Sequence, residues 1–200
     1  MATIDEKAVL GRYLHDVRDA LLWKLEGLGE HDLRRPLTPT GTNLLGLAKH
    51  LAFVELSYLG DCLDRPSGIP NPWFEADPDP HADLWCPADE ATADVLELHR
   101  RAAEHADVTI AALSLDAVGH VPWWPEERRH PTLHTLLVHV LVERSRHTGH
   151  ADILREGLDG AAGLRRELDN LGAREPEAWT AHRARVEAAA RQVAGLPPEG

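Results

Sequence analysis

Apolar residues recur at helical spacing along four long stretches of the chain. Leu10, Tyr13, Leu14, Val17, Leu21, Leu22 and Leu25 predict a helix over residues 4–27, stopped by Gly27 and the GLGEHD cluster. A second is predicted over 43–64, with Thr42 or Asn43 as its N-cap and the RPSG run beyond its end. The third, over 89–114, carries Val95, Leu96, Ala102, Ala106, Val108, Ile110 and Leu113. The fourth is expected over 131–159, with Pro131 as its first helical residue and Gly160 after its last. A further helix is expected over 176–194, followed by a frayed GLPPEG tail. Strand-like alternation persists nowhere, and no internal repeat is visible. The pattern predicts an all-α fold, a four-helix bundle with an additional C-terminal helix, as one domain over 1–200. Between the second and third helices, residues 65–87 hold six prolines and no sustained apolar periodicity, which predicts a long crossover loop. Loops of that length are often functional. In the VPWWPEERRHP connection, Trp123 and Trp124 either pack over the end of the bundle or line the mouth of a pocket.

The fourth stretch, HTLLVHVLVERSRHTGHADILRE, breaks its own apolar pattern. His139, Glu143 and His147 are four residues apart and His150 follows three later, so at about 100° per residue the four fall within roughly 80° of arc. Leu136, Val140 and Leu154 share or border that arc, which places the ionisable groups on the face expected to be buried. Burying such groups is costly unless they are paired or bound to a metal. Glu143 and His147, on adjacent turns, can reach one ion. A His50 flanked by Leu47, Leu51 and Val54 on the second helix should point inward. Alone it reads as a hydrogen-bonded core histidine, and the pair as a Glu–His hydrogen bond. Facing each other in a bundle, the three read as a ligand set. Two imidazole nitrogens and one carboxylate oxygen suit zinc with an open fourth position, with iron, manganese or nickel as alternatives. His139 and His150 lie one or two turns away and are candidates for orienting the ligands, binding a substrate anion or acting as a base. Asp152 points away from the cluster and is expected to be a structural partner, Arg155 and Glu156 to be charges on the helix surface. His31, His81, His99 and His182 are expected to be solvated.

Composition narrows the function. A net charge of −12, from 33 acidic and 21 basic side chains, argues against a nucleic-acid or anionic-membrane partner. The start of the chain has charges spaced through it and no apolar signal region, and no stretch approaches a membrane span, so a cytoplasmic protein is expected. Cys62 and Cys86 form no disulfide framework and lack the close spacing of a thiolate metal site, so both are expected as reduced thiols.

At His50, Glu143-Arg-Ser-Arg-His147 and the following Thr148-Gly149-His150, the chain resembles the DinB-like superfamily of bacterial metal-binding four-helix bundles. The segments LRRPLTPTGTNLLGLAKHLAFVELSYLGD, VPWWP and TLHTLLVHVLVE share its character, so the similarity covers most of the chain. Glu143, where many members have His, and the RHTGHADILRE run resemble the actinobacterial branch that includes mycothiol-dependent enzymes. The resemblance implies His50, Glu143 and His147 as ligands of a divalent metal, and mycothiol or a similar small thiol as cosubstrate. It implies transfer of that thiol to an electrophile. The maleylpyruvate isomerases of that branch carry a further C-terminal domain, for which the sequence to Gly200 has no room beyond one helix. A general thiol S-transferase is therefore expected rather than an isomerase. The alternatives are a non-catalytic metal-binding or stress-response protein, and a metal-dependent hydrolase with bound water as nucleophile. Homodimerisation through a bundle face is compatible with the fold.

Overall fold

Local signals at the ends of the long helices decide where each begins and stops. In the computed structural model, which describes residues 5–74, 80–166, 171 and 175–197, α1 spans Glu6–Trp23. The Asp5 carboxylate accepts from the Ala8 amide 3.1 Å away and caps it. The expected start at Ile4 lies outside the described residues. A turn with Gly27 at φ 75° follows, then a short α2 (Glu30–Arg34) that the apolar pattern did not announce. α3 (Leu44–Tyr58) is capped by Asn43, whose side-chain oxygen accepts from Gly46 N at 2.8 Å. α3 was expected to reach residue 64 and ends six residues sooner. Gly60 there leaves the helix in a conformation where a Cβ would sit 2.3 Å from the Leu56 carbonyl, and a 3-10 turn at Asp61–Leu63 takes over.

α4 (Thr92–Ala112) begins three residues later than expected, after a turn at residues 87–90. α5 (Leu133–Asp159) is capped by Thr132, so Pro131 precedes the helix and is not its first residue. Gly160 at φ 79° ends it. α6 (Pro176–Ala194) starts with its proline as expected and buries none of its residues. No strand occurs among the described residues; Val118 and Thr132 form an isolated bridge. Among the described residues no helix is long and apolar enough to cross a membrane.

The fold is all-helical. Leu14 and Leu21 of α1, Leu51 and Val54 of α3, Val95 of α4, and Leu136 and Val140 of α5 share one core. α3 is the central element: every one of its residues is buried except His50, its single opening toward solvent.

A buried ionic network ties the four long helices together. Glu55 on α3 is fully buried and accepts from Arg18 Nε and Nη2 of α1 at 2.9 and 2.7 Å, while pairing with Arg144 Nε of α5. Arg18 also reaches Asp107 of α4 at 2.8 Å, and Arg144 Nη2 donates to His99 Nε2 of α4 at 3.1 Å. Burial alone would raise the Glu55 carboxyl, but Arg144 and Arg18 outweigh it and hold it below the ordinary carboxylate range. His99 is 1% exposed, not solvated as expected, and burial beside Arg144 drives its pKa down to about 3. Arg155, expected on the surface, is buried too: its Nη1 donates to the carbonyls of Lys24 and Glu26 at 2.9 and 2.8 Å. Asp152 is the structural partner expected of it, 2.7 Å from the buried Lys24 ammonium.

Candidate metal centre

The buried stripe of α5 runs through Val140, Arg144, Thr148 and Ala151. Each is the residue immediately after His139, Glu143, His147 and His150. The ionisable side chains are thus turned about 100° from the core, along its border rather than within it. His139, Glu143 and His147 are half-buried and His150 is exposed. That correction matters for chemistry, because the border of the core is where a side chain can be held rigid and still be reached from outside.

Across from this border sits His50. His50, Glu143 and His147 each place a donor atom within 4.8 Å of the others. Glu143 Oε1 lies 3.0 Å from His147 Nε2 and 3.7 Å from His50 Nε2. The two imidazoles meet edge to face with centroids 4.8 Å apart. His50 Nε2 is buried and makes no hydrogen bond. Its other nitrogen, Nδ1, is 2.7 Å from Asp83 Oδ2, which also accepts from Trp73 Nε1 at 2.8 Å.

The electrostatics favour an ionised Glu143 and a neutral His147. Burial would raise the Asp83 carboxyl, but the His50 and Trp73 donors outweigh it and hold it below its usual value, so it stays ionised and acceptor-only. That makes His50 Nδ1 the donor in the 2.7 Å hydrogen bond and leaves Nε2 as the nitrogen that faces Glu143. Burial would likewise raise Glu143, and the neighbouring His147 and His50 bring it below the carboxylate norm. Burial, then the charge of His50, depress His147 and favour its neutral form. An ionised Glu143 and a neutral His147 are protonation states that metal binding requires.

The remaining expected residues separate. His150 Nδ1 lies 3.3 Å from His147 Nδ1, and both line a cavity of about 530 Å³ whose walls include Thr40, Thr42, Leu84 and Trp85. His139 packs edge to face on Tyr58 and Trp124 at 4.6 and 5.0 Å and is not brought into the ligand cluster; burial lowers its pKa. It lines a different cavity, of about 610 Å³, together with Trp124, Arg128 and Val142. Of the tryptophan pair, Trp123 Nε1 donates to the Tyr58 hydroxyl at 3.0 Å, and Trp124 walls the second cavity. The cysteines are poor nucleophiles, since burial pushes Cys62 up to about 12 and Cys86 up to about 11.

Asp83 and Trp73 escaped the sequence reading. Both come from the proline-rich crossover, which has no periodicity to reveal them. Its length was the one available signal. The segment is docked on α3 by close packing: a Cβ on Gly46 would stand 2.0 Å from the Leu84 carbonyl, which also accepts from Asn43 Nδ2 at 3.3 Å.

The profile of the Mycothiol-S-transferase family matches residues 9–160, the stretch from α1 to the end of α5, and the chain belongs to that family. No curated protein matches the chain significantly.

Proposed function

We propose that this member of the mycothiol-S-transferase family is a metal-dependent S-transferase in which His50, Glu143 and His147 hold one divalent cation and a small thiol of the mycothiol type is the nucleophile. The observation that carries the reading is the bare Nε2 of His50, a buried nitrogen without a hydrogen-bond partner beside the carboxylate that His147 engages. An unpaired buried polar atom costs about 1–3 kcal/mol, and a shared cation would remove that cost. Two imidazoles and one carboxylate suit zinc with room for a further ligand; iron, manganese and nickel accept the same donors. Such a cation lowers the pKa of a coordinated thiol and supplies it as thiolate at neutral pH.

The chain's own residues prepare that chemistry. Asp83 fixes the tautomer and ring orientation of His50. Glu143 stays ionised and His147 neutral for the reasons given above. His150, beside His147 at the edge of the cavity, is placed to take the proton the thiol sheds. His139 and Trp124 wall the neighbouring cavity, where an electrophile could sit. Transfer forms a carbon–sulfur bond as the leaving group departs with its electron pair, or as an activated double bond takes up a proton. With both cysteine thiols held protonated, the nucleophilic sulfur comes from the cosubstrate.

Zinc-loaded protein incubated with mycothiol and a bromobimane is expected to form the bimane thioether faster than the His147→Ala variant, which is also expected to lose stoichiometric zinc. Turnover no higher than that of the variant would refute the transferase reading.

A further inference from the structure

We propose that the cavity of about 610 Å³ against His139 is the electrophile subsite, and that it selects flat, apolar electrophiles carrying a carboxylate, which Arg128 holds; this rests on the thiol-transferase reading and names the electrophile class within it. Cavities of roughly 300–1,000 Å³ are the size that accommodates small-molecule ligands.

The register of α5 brings this cavity to the ligand cluster. Thr135, Val138, His139 and Val142, at i, i+3, i+4 and i+7, form one of its walls. His139 precedes Glu143 by four residues, a rise of about 6 Å, and Val142 is the residue before Glu143. The cavity therefore borders the cluster on its N-terminal side along α5, away from His150.

The lining defines the class of ligand. Trp124 supplies an indole, and Val138 and Val142 stand 41% and 63% exposed beside it. Flat aromatic bodies pack on such a surface, stacked or edge-on. In a chain of net charge −12, no Asp or Glu lines this cavity, and Arg128 does. Glu126, two residues from Arg128, is committed to Arg129 at 2.6 Å, and Arg128 makes no ion pair among the described residues. A guanidinium presents a planar fork that matches the two oxygens of a carboxylate. His130 adds a ring N–H beside it. With the anion at Arg128 on the loop, the other end of the molecule lies against His139 and Val142, toward Glu143. There the His139 ring is held by Tyr58 and Trp124 through its edges and faces, and neither of its nitrogens makes a hydrogen bond among the described residues.

The loop wall is fixed before any ligand arrives. Gly119 N donates to Pro131 O, Val121 N to Arg129 O and Leu133 N to Ala117 O, each at 2.8 Å. Trp124 N donates to Val121 O at 3.1 Å, and Arg129 Nε to Trp124 O at 3.3 Å. The His130 ring stacks on His120 with centroids 5.0 Å apart.

An arylmethyl bromide with a carboxylate belongs to the proposed class. Its carbon–sulfur bond forms as the carbon–bromine bond breaks, bromide leaves with the electron pair, and the proton of the thiol passes to solvent. The binding probe is the unreactive 2-naphthoate, titrated calorimetrically into the zinc-loaded full-length protein beside uncharged 2-naphthamide. The naphthoate is expected to bind at least tenfold more tightly, and Arg128→Gln to bring the two within threefold. Because a carboxylate is also a zinc ligand, the titration is repeated on zinc-free His147→Ala, where the same preference is expected. Val138→Trp, which fills the cavity, is expected to weaken both probes at least tenfold with wild-type zinc content. In turnover with mycothiol, the kcat/KM preference for 6-(bromomethyl)-2-naphthoate over its amide, each corrected for the uncatalysed reaction, is expected to fall at least tenfold in Arg128→Gln. No preference in the wild type, a preference unchanged in Arg128→Gln, or one that disappears with the zinc would each overturn the proposal. The two readings fail separately. An Arg128-dependent preference in binding, with no thiol conjugated to any electrophile, removes the transferase reading and keeps an anion-selective cavity. Mycothiol conjugated equally well to the acid and the amide keeps the transferase reading and removes the subsite.

Discussion

Replacing Asp83 by alanine should weaken metal binding without touching a ligand. In the native arrangement its carboxylate accepts from His50 Nδ1 at 2.7 Å and Trp73 Nε1 at 2.8 Å, at a site almost closed to solvent. The first bond sets the tautomer of the neutral imidazole: with Nδ1–H committed to Asp83, Nε2, next to Glu143, is the nitrogen left to bind a cation. Without it, His50 is free to rotate and to place its proton on Nε2, and each bound state must then recover that preorganisation. Hydrogen bonds to a charged partner contribute about 1.5–3 kcal/mol. Loss of a carboxylate that orients a ligating histidine typically costs about 10–100-fold in metal affinity, or roughly 1.4–2.8 kcal/mol. Zinc competition between the protein and a chromophoric chelator should therefore give an affinity 10–100-fold lower for Asp83→Ala, with an unchanged far-ultraviolet circular dichroism spectrum. Trp73→Phe removes the second bond alone and should cost less. An Asp83→Ala affinity within twofold of wild type would refute the orienting role and with it the assigned tautomer.

Three further perturbations probe the frame that holds the site. Gly46→Ala places a Cβ 2.0 Å from the Leu84 carbonyl, so the wall carrying Asp83 and Trp85 must shift. Thermal unfolding should show a loss of about 1–3 kcal/mol together with weaker zinc binding, whereas a wild-type melting temperature would show that the wall yields freely. Glu55→Gln leaves Arg18 and Arg144 buried without their shared counter-charge; breaking such a pair costs about 3–5 kcal/mol, and a urea midpoint shift worth under 1 kcal/mol would contradict the network. His99 provides a pH test. Its folded pKa of about 3 lies below the value of about 6.5 in the unfolded chain, so the unfolded state binds more protons between those limits. Stability contributed by neutral His99 is complete above pH 6.5 and falls as pH drops toward 3, by up to about 1.4 kcal/mol per pH unit. His139 and His147 shift the same way but remain in both proteins, so the contribution of His99 is read as the extra stability the wild type loses between pH 7 and pH 5 relative to His99→Gln. Parallel curves would refute it.

Sequence and structure agree where the signal is local. Asn43, Gly160 and Pro176 mark helix ends because capping and backbone freedom act over one turn. The clustering of His50 with Glu143 and His147 was legible because i, i+4 spacing and an inward-facing position on a second helix are both features of periodicity. Periodicity located the α5 ionisable arc one residue off the buried stripe, since it treats Val140 and His139 as sharing a face when Arg144, not Glu143, is the buried member of the pair. A buried arginine looks like a surface charge until its partners, Glu55 and His99, arrive from other helices. Asp83 was beyond reach for a related reason. It joins His50 across 33 residues of chain through a proline-rich loop, and only the packing of Leu84 on Gly46 sets where it lands.

The proposed chemistry requires that His50, Glu143 and His147 hold a single divalent metal whose remaining position is taken by the thiol cosubstrate. X-ray absorption at the zinc edge of the stoichiometrically loaded protein, before and after mycothiol is added, tests it directly. The expected result is a nitrogen- and oxygen-bound zinc that gains one bonded sulfur on adding mycothiol, with no zinc retained by His50→Ala. A zinc that keeps only nitrogen and oxygen neighbours while the protein forms conjugate, or a full complement of zinc in His50→Ala, would contradict it.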